Sequence, residues 1–162
     1  MARSHPDLNR IFLGVFAADE LGSDRANDKN RALPYALIVN SHPLNHPGQH
    51  WHAIFVQEGG GVDFFDSYGI FPPKNVLKYA GRFCPPINFS SWSIQSPIAT
   101  SCGSYCLQFL LARARGQSMN QFVKKEYSNY SWISNEKRLA KRMRQRFSPY
   151  MRPSSRFTSS FI

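Results

Sequence analysis

Acidic side chains are scarce in this 162-residue chain: Asp and Glu total 10 against 20 Lys and Arg, a net charge of +10 at neutral pH. The imbalance is sharpest late in the chain, where residues 124–156 hold ten Lys or Arg and two Glu. Its densest run, Lys137 to Arg146, includes Arg138, Lys141, Arg142 and Arg144. An excess this one-sided favours polyanions, above all nucleic-acid phosphates, through release of condensed counterions. The plainer alternative is a solvated helix face that aids solubility. Nothing in the run points to base-specific readout. Cysteine is sparse too. Cys84, Cys102 and Cys106 are odd in number, and no pair has Cys-x-x-Cys spacing, which excludes a disulfide framework, a redox motif and a zinc knuckle. No apolar run approaches membrane-spanning length, and the opening Met-Ala-Arg-Ser-His-Pro-Asp lacks a signal-peptide core. A soluble protein of a reducing compartment is expected, with no membrane partner. Repeats and interdomain linkers are absent from the sequence, so residues 1–162 are read as one domain.

What is present suffices for a packed core: 42% of residues are hydrophobic and 14% aromatic. Leu8 to Phe16 reads as a short helix or apolar turn, followed by a polar loop over 19–32. Tyr35 to Asn40 is a buried strand. His50 to Gln57 and Val62 to Asp66 form a hairpin about Gly59-Gly60-Gly61. Helices are expected at Asn75–Arg82, from Cys102 onward, at Met119–Tyr127 and at Asn135–Phe147, with a short strand over Phe89–Ile94. The predicted class is α+β, a small and mostly antiparallel sheet packed against helices.

The segment Gln95-Ser-Pro-Ile-Ala-Thr-Ser-Cys102-Gly103-Ser-Tyr-Cys106 runs directly into Leu107, Phe109, Leu110 and Leu111. It places a thiol at the mouth of a buried helix, whose N-terminal partial positive charge favours a thiolate. A cysteine nucleophile needs a base, and the base needs a third group to fix its tautomer. His50 and Asp66 fall on adjacent strands of the hairpin, where a carboxylate can meet an imidazole. Gln95 is neutral and a side-chain donor, suited to an oxyanion hole together with the Cys102 backbone N–H. Gly103 is expected to let the backbone turn tightly. Each piece has an ordinary structural alternative; the combination, in this order, is the parts list of a thiol hydrolase. His52, two residues from His50 and on the same strand face, is a rival base, and Asp63 is a rival acid. Cys106, one helical turn past Cys102, reads as a core residue.

The chain resembles the adenovirus protease family and related mobile-element proteases, within the wider Ulp1-like cysteine peptidases. The resemblance rests on Phe12-Leu13-Gly14, Ala36-x-Ile38-Val39-Asn40, His50-Trp51, Phe65-Asp66-x-Tyr68-Gly69, Gln95-x-Pro97-x4-Cys102-Gly103 and Ser148-Pro149-Tyr150-Met151-Arg152. It implies a Ulp1/adenain-like fold, with Cys102 as nucleophile, His50 as general base, Asp66 as orienting acid and Gln95 as oxyanion donor. Adenovirus enzymes usually carry glutamate at the Asp66 position, whereas Ulp1-like peptidases carry aspartate. The resemblance further implies cleavage of viral precursor proteins at glycine-containing sites, a preference that a bulky Trp51 over a narrow groove would also favour. It implies stimulation by duplex DNA and a disulfide-linked activating peptide. Cys84, eleven residues before Gln95, falls where that disulfide would form. No small-molecule cofactor and no metal are expected. A monomer acting in the virion and host nucleus follows from the same resemblance. Two other readings compete: a Ulp1-like isopeptidase acting on ubiquitin-like modifiers, which Asp66-Ser67 supports, and a nucleic-acid-binding protein on a catalytically retired scaffold.

Overall fold

The computed structural model describes residues 1–26, 31–83, 87–128 and 130–150. A short helix α1 (Pro6–Asn9) leads into β1 (Phe12–Phe16), then β2 (Tyr35–Asn40), β3 (Trp51–Val56) and β4 (Val62–Phe65). Helix α2 (Lys74–Ala80) and the two-residue β5 (Asn88–Phe89) precede three helices, α3 (Cys102–Ala114), α4 (Met119–Glu126) and α5 (Trp132–Phe147). The strands lie in the order β1-β2-β3-β4-β5. The central pairings β2/β3 and β3/β4 are antiparallel, and the flanking ones, β1/β2 and β4/β5, are parallel.

Alternation along the strands divides the interior in two, because successive side chains point to opposite faces. Ala36, Ile38, Ala53, Phe55 and Phe65 join α3, α4 and α5 in one apolar cluster. Leu37, Val39, Ile54, Val56 and Phe64 join Val76, Tyr79 and Ala80 of α2 in the other. Helix α3 is therefore sandwiched, which explains why its apolar residues are spread around it instead of forming one stripe. On the first face Phe65 stacks on Phe109 with centroids 4.7 Å apart, and Phe122 meets both edge-on. Such pairs add about 0.5–1.5 kcal/mol each beyond burial, and they tie the end of β4 to α3.

The structure corrects three expectations. Phe12–Phe16 is a strand, not a helix or turn. Its partner β2 lies about twenty residues away, and a parallel pairing leaves no local turn signal. Of Phe89–Ile94 only Phe89 is strand, forming β5 with Asn88. Beyond it the chain leaves the sheet, and the Ile94 and Gln95 amides donate to the Ser67 carbonyl, at 2.9 and 3.0 Å. Helix α5 begins at Trp132, three residues earlier than expected. Cys84 lies outside the described residues.

Candidate active site

Asp66 follows the last residue of β4, and His50 precedes the first of β3. The antiparallel register pairs Ala53 with Phe65, so the two side chains meet at one end of the hairpin. The turn after Asp66 is fixed locally. Gly69 N–H donates to the Asp66 carbonyl at 3.1 Å, and Gly69 takes φ +71°, a left-handed conformation that glycine adopts without steric penalty. A Cβ there would also lie 2.6 Å from the Ser91 backbone, so glycine lets this turn seat against the segment leading to Gln95.

The Asp66 carboxylate is buried and fully used. One oxygen accepts from His50 Nε2 at 2.7 Å and from His52 Nδ1 at 2.8 Å. The other accepts from the Tyr68 and Ile70 backbone N–H groups, at 2.7 and 3.4 Å. Burial alone would raise its pKa, but the two imidazoles outweigh it and hold the carboxyl well below the usual range. With Nε2–H committed to Asp66, neutral His50 leaves Nδ1 for the Cys102 thiol. Burial works against the imidazolium, yet hydrogen bonds with Asp66 and then Cys102 raise the His50 pKa from 6.5 to about 9. Tyr68 stacks on the His50 ring at 4.7 Å. The His50 side chain is 13% exposed and so still reachable from solvent.

Cys102 is the first residue of α3 and is 6% exposed. It opens onto a cleft of about 1050 Å³, lined by Trp51, Tyr68, Ile98, Gly103 and, from α5, Glu136 and Arg144. Gly103, expected in a tight turn, is instead an ordinary helical residue without a positive φ. Cys106 is wholly buried; its thiol donates to the Trp51 carbonyl at 3.3 Å, and burial pushes its pKa far up. It is a core residue, as expected.

Gln95 sits one layer behind the cleft with no exposed surface. Its amide nitrogen donates to the Ala99 carbonyl at 2.6 Å and to Tyr68 Oη at 3.0 Å, and its oxygen accepts from Ser67 Oγ at 2.6 Å. Both of its N–H bonds are thus directed at protein acceptors in this state. Asp63 is no rival to Asp66: it pairs with Arg113 at 2.8 Å, on the far side of the hairpin's register. The catalytic candidates Cys102, His50 and Asp66 are brought together, and Gln95 is brought beside them.

The six basic candidates all lie on α5 but differ in surroundings. Arg142 pairs with Glu126, Arg138 donates to the Glu126 carbonyl at 2.6 Å, and Arg146 donates to Gln108 at 2.7 Å. Lys137 and Lys141 are exposed and line a shallow groove with Arg138 and Arg142, while Arg144 faces the cleft. Among the described residues, His50, His52 and Asp66 form the cluster that could hold a metal ion, with ligand atoms within 4.8 Å of one another. No helix among the described residues is long and apolar enough to cross a membrane.

Sequence reasoning missed Glu136. Its carboxylate accepts from Ser101 Oγ at 2.8 Å and from Ser96 N–H and Tyr105 Oη at 3.3 Å each. The available signal was its isolation, as one of only two acids among ten Lys and Arg over residues 124–156.

A five-stranded mixed sheet, helices on both faces and a cysteine heading a buried helix together define the Ulp1-like cysteine-protease fold. Crystal structures of the African swine fever virus pS273R protease share it. One, of the selenomethionine form, gives a TM-score of 0.50 at 22% identity, covering 65% of this chain and 43% of that one. The other gives 0.51 at 23% identity, covering 70% and 42%. Among curated proteins, the chain is 24% identical over 133 residues to a cysteine protease of African swine fever virus, covering 74% of this chain and 49% of the relative. It is also 24% identical over 135 residues to a protein named SUMO-1 cysteine protease from another isolate of that virus, covering 75% and 50%. The chain spans about half the length of these curated relatives. No protein-family profile matches it.

Proposed function

We propose that this chain is a viral cysteine endopeptidase in which Cys102 attacks, His50 transfers protons and Asp66 orients His50. The observation that carries the reading is the His50 ring, held by Asp66 on one nitrogen and within hydrogen-bonding reach of Cys102, at the wall of an open cleft. The Cys102 thiol gives its proton to His50 as its sulfur attacks the scissile carbonyl carbon, and the carbonyl electron pair moves onto oxygen. Collapse of that oxyanion expels the amine, which takes its proton from the His50 imidazolium and leaves a thioester. Water then attacks the thioester, His50 removes its proton, and the acid product leaves with the thiol restored. The backbone N–H groups at the start of α3 and the Gln95 amide stabilise the oxyanion. For Gln95 this requires turning one N–H away from Ala99 or Tyr68.

The adenovirus-protease likeness of the Gln95-to-Gly103 segment supports a finer version: maturation of viral precursors at glycine-containing sites in the virion and host nucleus, stimulated by duplex DNA. The half-buried Trp51 on the cleft wall favours small residues beside the scissile bond. The exposed Lys137 and Lys141 favour non-specific phosphate contact. A disulfide-linked activating peptide at Cys84 belongs to the same proposal. The name of one relative, SUMO-1 cysteine protease, favours a second reading, an isopeptidase acting on ubiquitin-like modifiers.

The test is cleavage of a fluorogenic Leu-x-Gly-Gly peptide by the wild-type chain and by Cys102→Ala, each with and without duplex DNA. Turnover that requires Cys102 supports the peptidase, and a rise with DNA supports the finer reading. Reaction with a ubiquitin-family vinyl sulfone in preference to the peptide would favour the isopeptidase. DNA binding with no thiol reactivity would return the chain to a binding role.

A further inference from the structure

Three serines directly precede α3, α4 and α5: Ser118 caps α4, whereas Ser101 and Ser131 cap nothing, and of these two only Ser101 has its hydroxyl held by a carboxylate. Ser118 precedes α4 with an extended backbone, φ −71° and ψ 161°, and its hydroxyl accepts from the Gln121 N–H at 3.2 Å as a capping serine should. Ser101 precedes α3 with φ −96° and ψ 8°, and its hydroxyl caps nothing. Its proton is directed instead at Glu136 Oε2, at 2.8 Å. The first amide of α3 to reach a helical carbonyl is that of Tyr105, which donates to Ser101 O at 3.1 Å. Four residues before Cys102, Gly103 and Ser104 the chain is not yet helical, so their N–H groups have no helical carbonyl to reach, and the structure gives them no acceptor among the described residues. They lie at the wall of the cleft.

We propose that Glu136 is a positioning residue that withholds Ser101 from capping α3, and so keeps the helix's leading amides open to receive the substrate oxyanion. This rests on the peptidase reading above and adds to it a residue from α5, which also lines the cleft. The remaining contacts of Glu136 fit the role. Its Oε1 accepts from the Ser96 N–H, at the far end of the 96–101 loop, and from Tyr105 Oη, one turn into α3. One carboxylate therefore fixes both ends of the loop that joins Gln95 to Cys102. No cationic side chain among the described residues pairs with it, so no ion pair draws it away. Without Glu136 the Ser101 backbone is free to open towards the extended conformation that Ser118 adopts, which brings its hydroxyl onto the Gly103 or Ser104 N–H and closes the oxyanion site.

The test separates acyl transfer from simple thiol reactivity. Alkylation of Cys102 by iodoacetamide passes through no oxyanion, whereas peptide cleavage does. Glu136→Ala should lower kcat by roughly 10²-fold, the scale of losing an oxyanion donor, with Cys102 alkylation within a few-fold of wild type. The double variant Glu136→Ala, Ser101→Ala removes the competing hydroxyl and should recover a large part of kcat. Unchanged kcat in Glu136→Ala, or equal loss in the single and double variants, overturns the proposal. A measurement on the wild-type chain depends neither on catalysis nor on the variant's folding. By amide hydrogen exchange, the Gly103 and Ser104 N–H groups should exchange as open amides while the capped Gln121 N–H is protected. Protection of Gly103 or Ser104 equal to that of Gln121 overturns it as well.

Discussion

Replacing Asp66 with asparagine keeps the size of the side chain but removes the charge that sustains the His50 imidazolium. The lift of His50 from 6.5 to about 9 corresponds to roughly 3 kcal/mol of preference for the charged ring, less a part lost to solvent screening at its exposed edge. Burial opposes that charge, so without the carboxylate the pKa falls back towards 6.5 or below. At pH 7.5 a ring with a pKa near 9 is almost fully protonated, whereas one near 6.5 is about one-tenth protonated. The imidazolium that protonates the leaving amine thus becomes about tenfold rarer, before any loss from a misdirected tautomer. Asp66→Asn should therefore lower kcat/KM by tenfold or more at pH 7.5. The alkaline limb of the pH profile should move from near 9 towards 6.5. The same shifts bear on stability. The His50 contribution is complete below pH 6.5 and is lost as pH rises through about 9. The Asp66 contribution is present above its ordinary pKa of 3.8 and is lost as pH falls towards its depressed folded value. Full pH–rate profiles of both proteins are the assay. An alkaline limb that stays in place in Asp66→Asn would refute the argument.

Other substitutions probe the frame around the site. Gly69→Ala meets both a left-handed φ and a 2.6 Å approach to the Ser91 backbone; it should cost about 2 kcal/mol or more, read as a lowered midpoint in urea. Arg113→Leu removes the guanidinium that pairs with the buried Asp63 carboxylate and lies 4.7 Å over the Phe55 ring, leaving the charge with the Gln57 and Asn88 side-chain amides and no paired cation. A loss of about 3–5 kcal/mol is expected, and a thermal midpoint within a degree of wild type would contradict it. Zinc should inhibit turnover reversibly by taking His50, His52 and Asp66 as ligands. Chelator should restore activity, and a Cys106→Ser variant should be inhibited equally.

The parts of this fold that sequence patterns reveal are those with local signals. The β3/β4 hairpin could be read because a glycine turn joins two apolar strands, and the start of α3 because a turn-forming segment meets a long apolar run. The pairing of β1 with β2 was hidden, since parallel partners need no adjoining turn. His52 was weighed against His50 as an alternative, yet the structure places both on one carboxylate oxygen, an arrangement that residue spacing alone does not distinguish. The internal hydrogen bonds of Gln95 depend on Tyr68, 27 residues earlier, and the grip of Glu136 on Ser101 spans 35 residues. Helix α5 reads as a basic, solvated face because its charge pattern reports what faces water. That Glu136 and Arg144 also form a cleft wall follows only from where α5 packs.

The central claim is that Cys102, not Cys106, is the nucleophile and that His50 activates it. Peptide turnover quenched in acid and mapped by mass spectrometry tests this most directly. An acyl adduct on Cys102 is expected in the wild-type chain, with turnover lost in Cys102→Ala and His50→Ala but retained in Cys106→Ser. An adduct on Cys106, or turnover that survives Cys102→Ala, would contradict it.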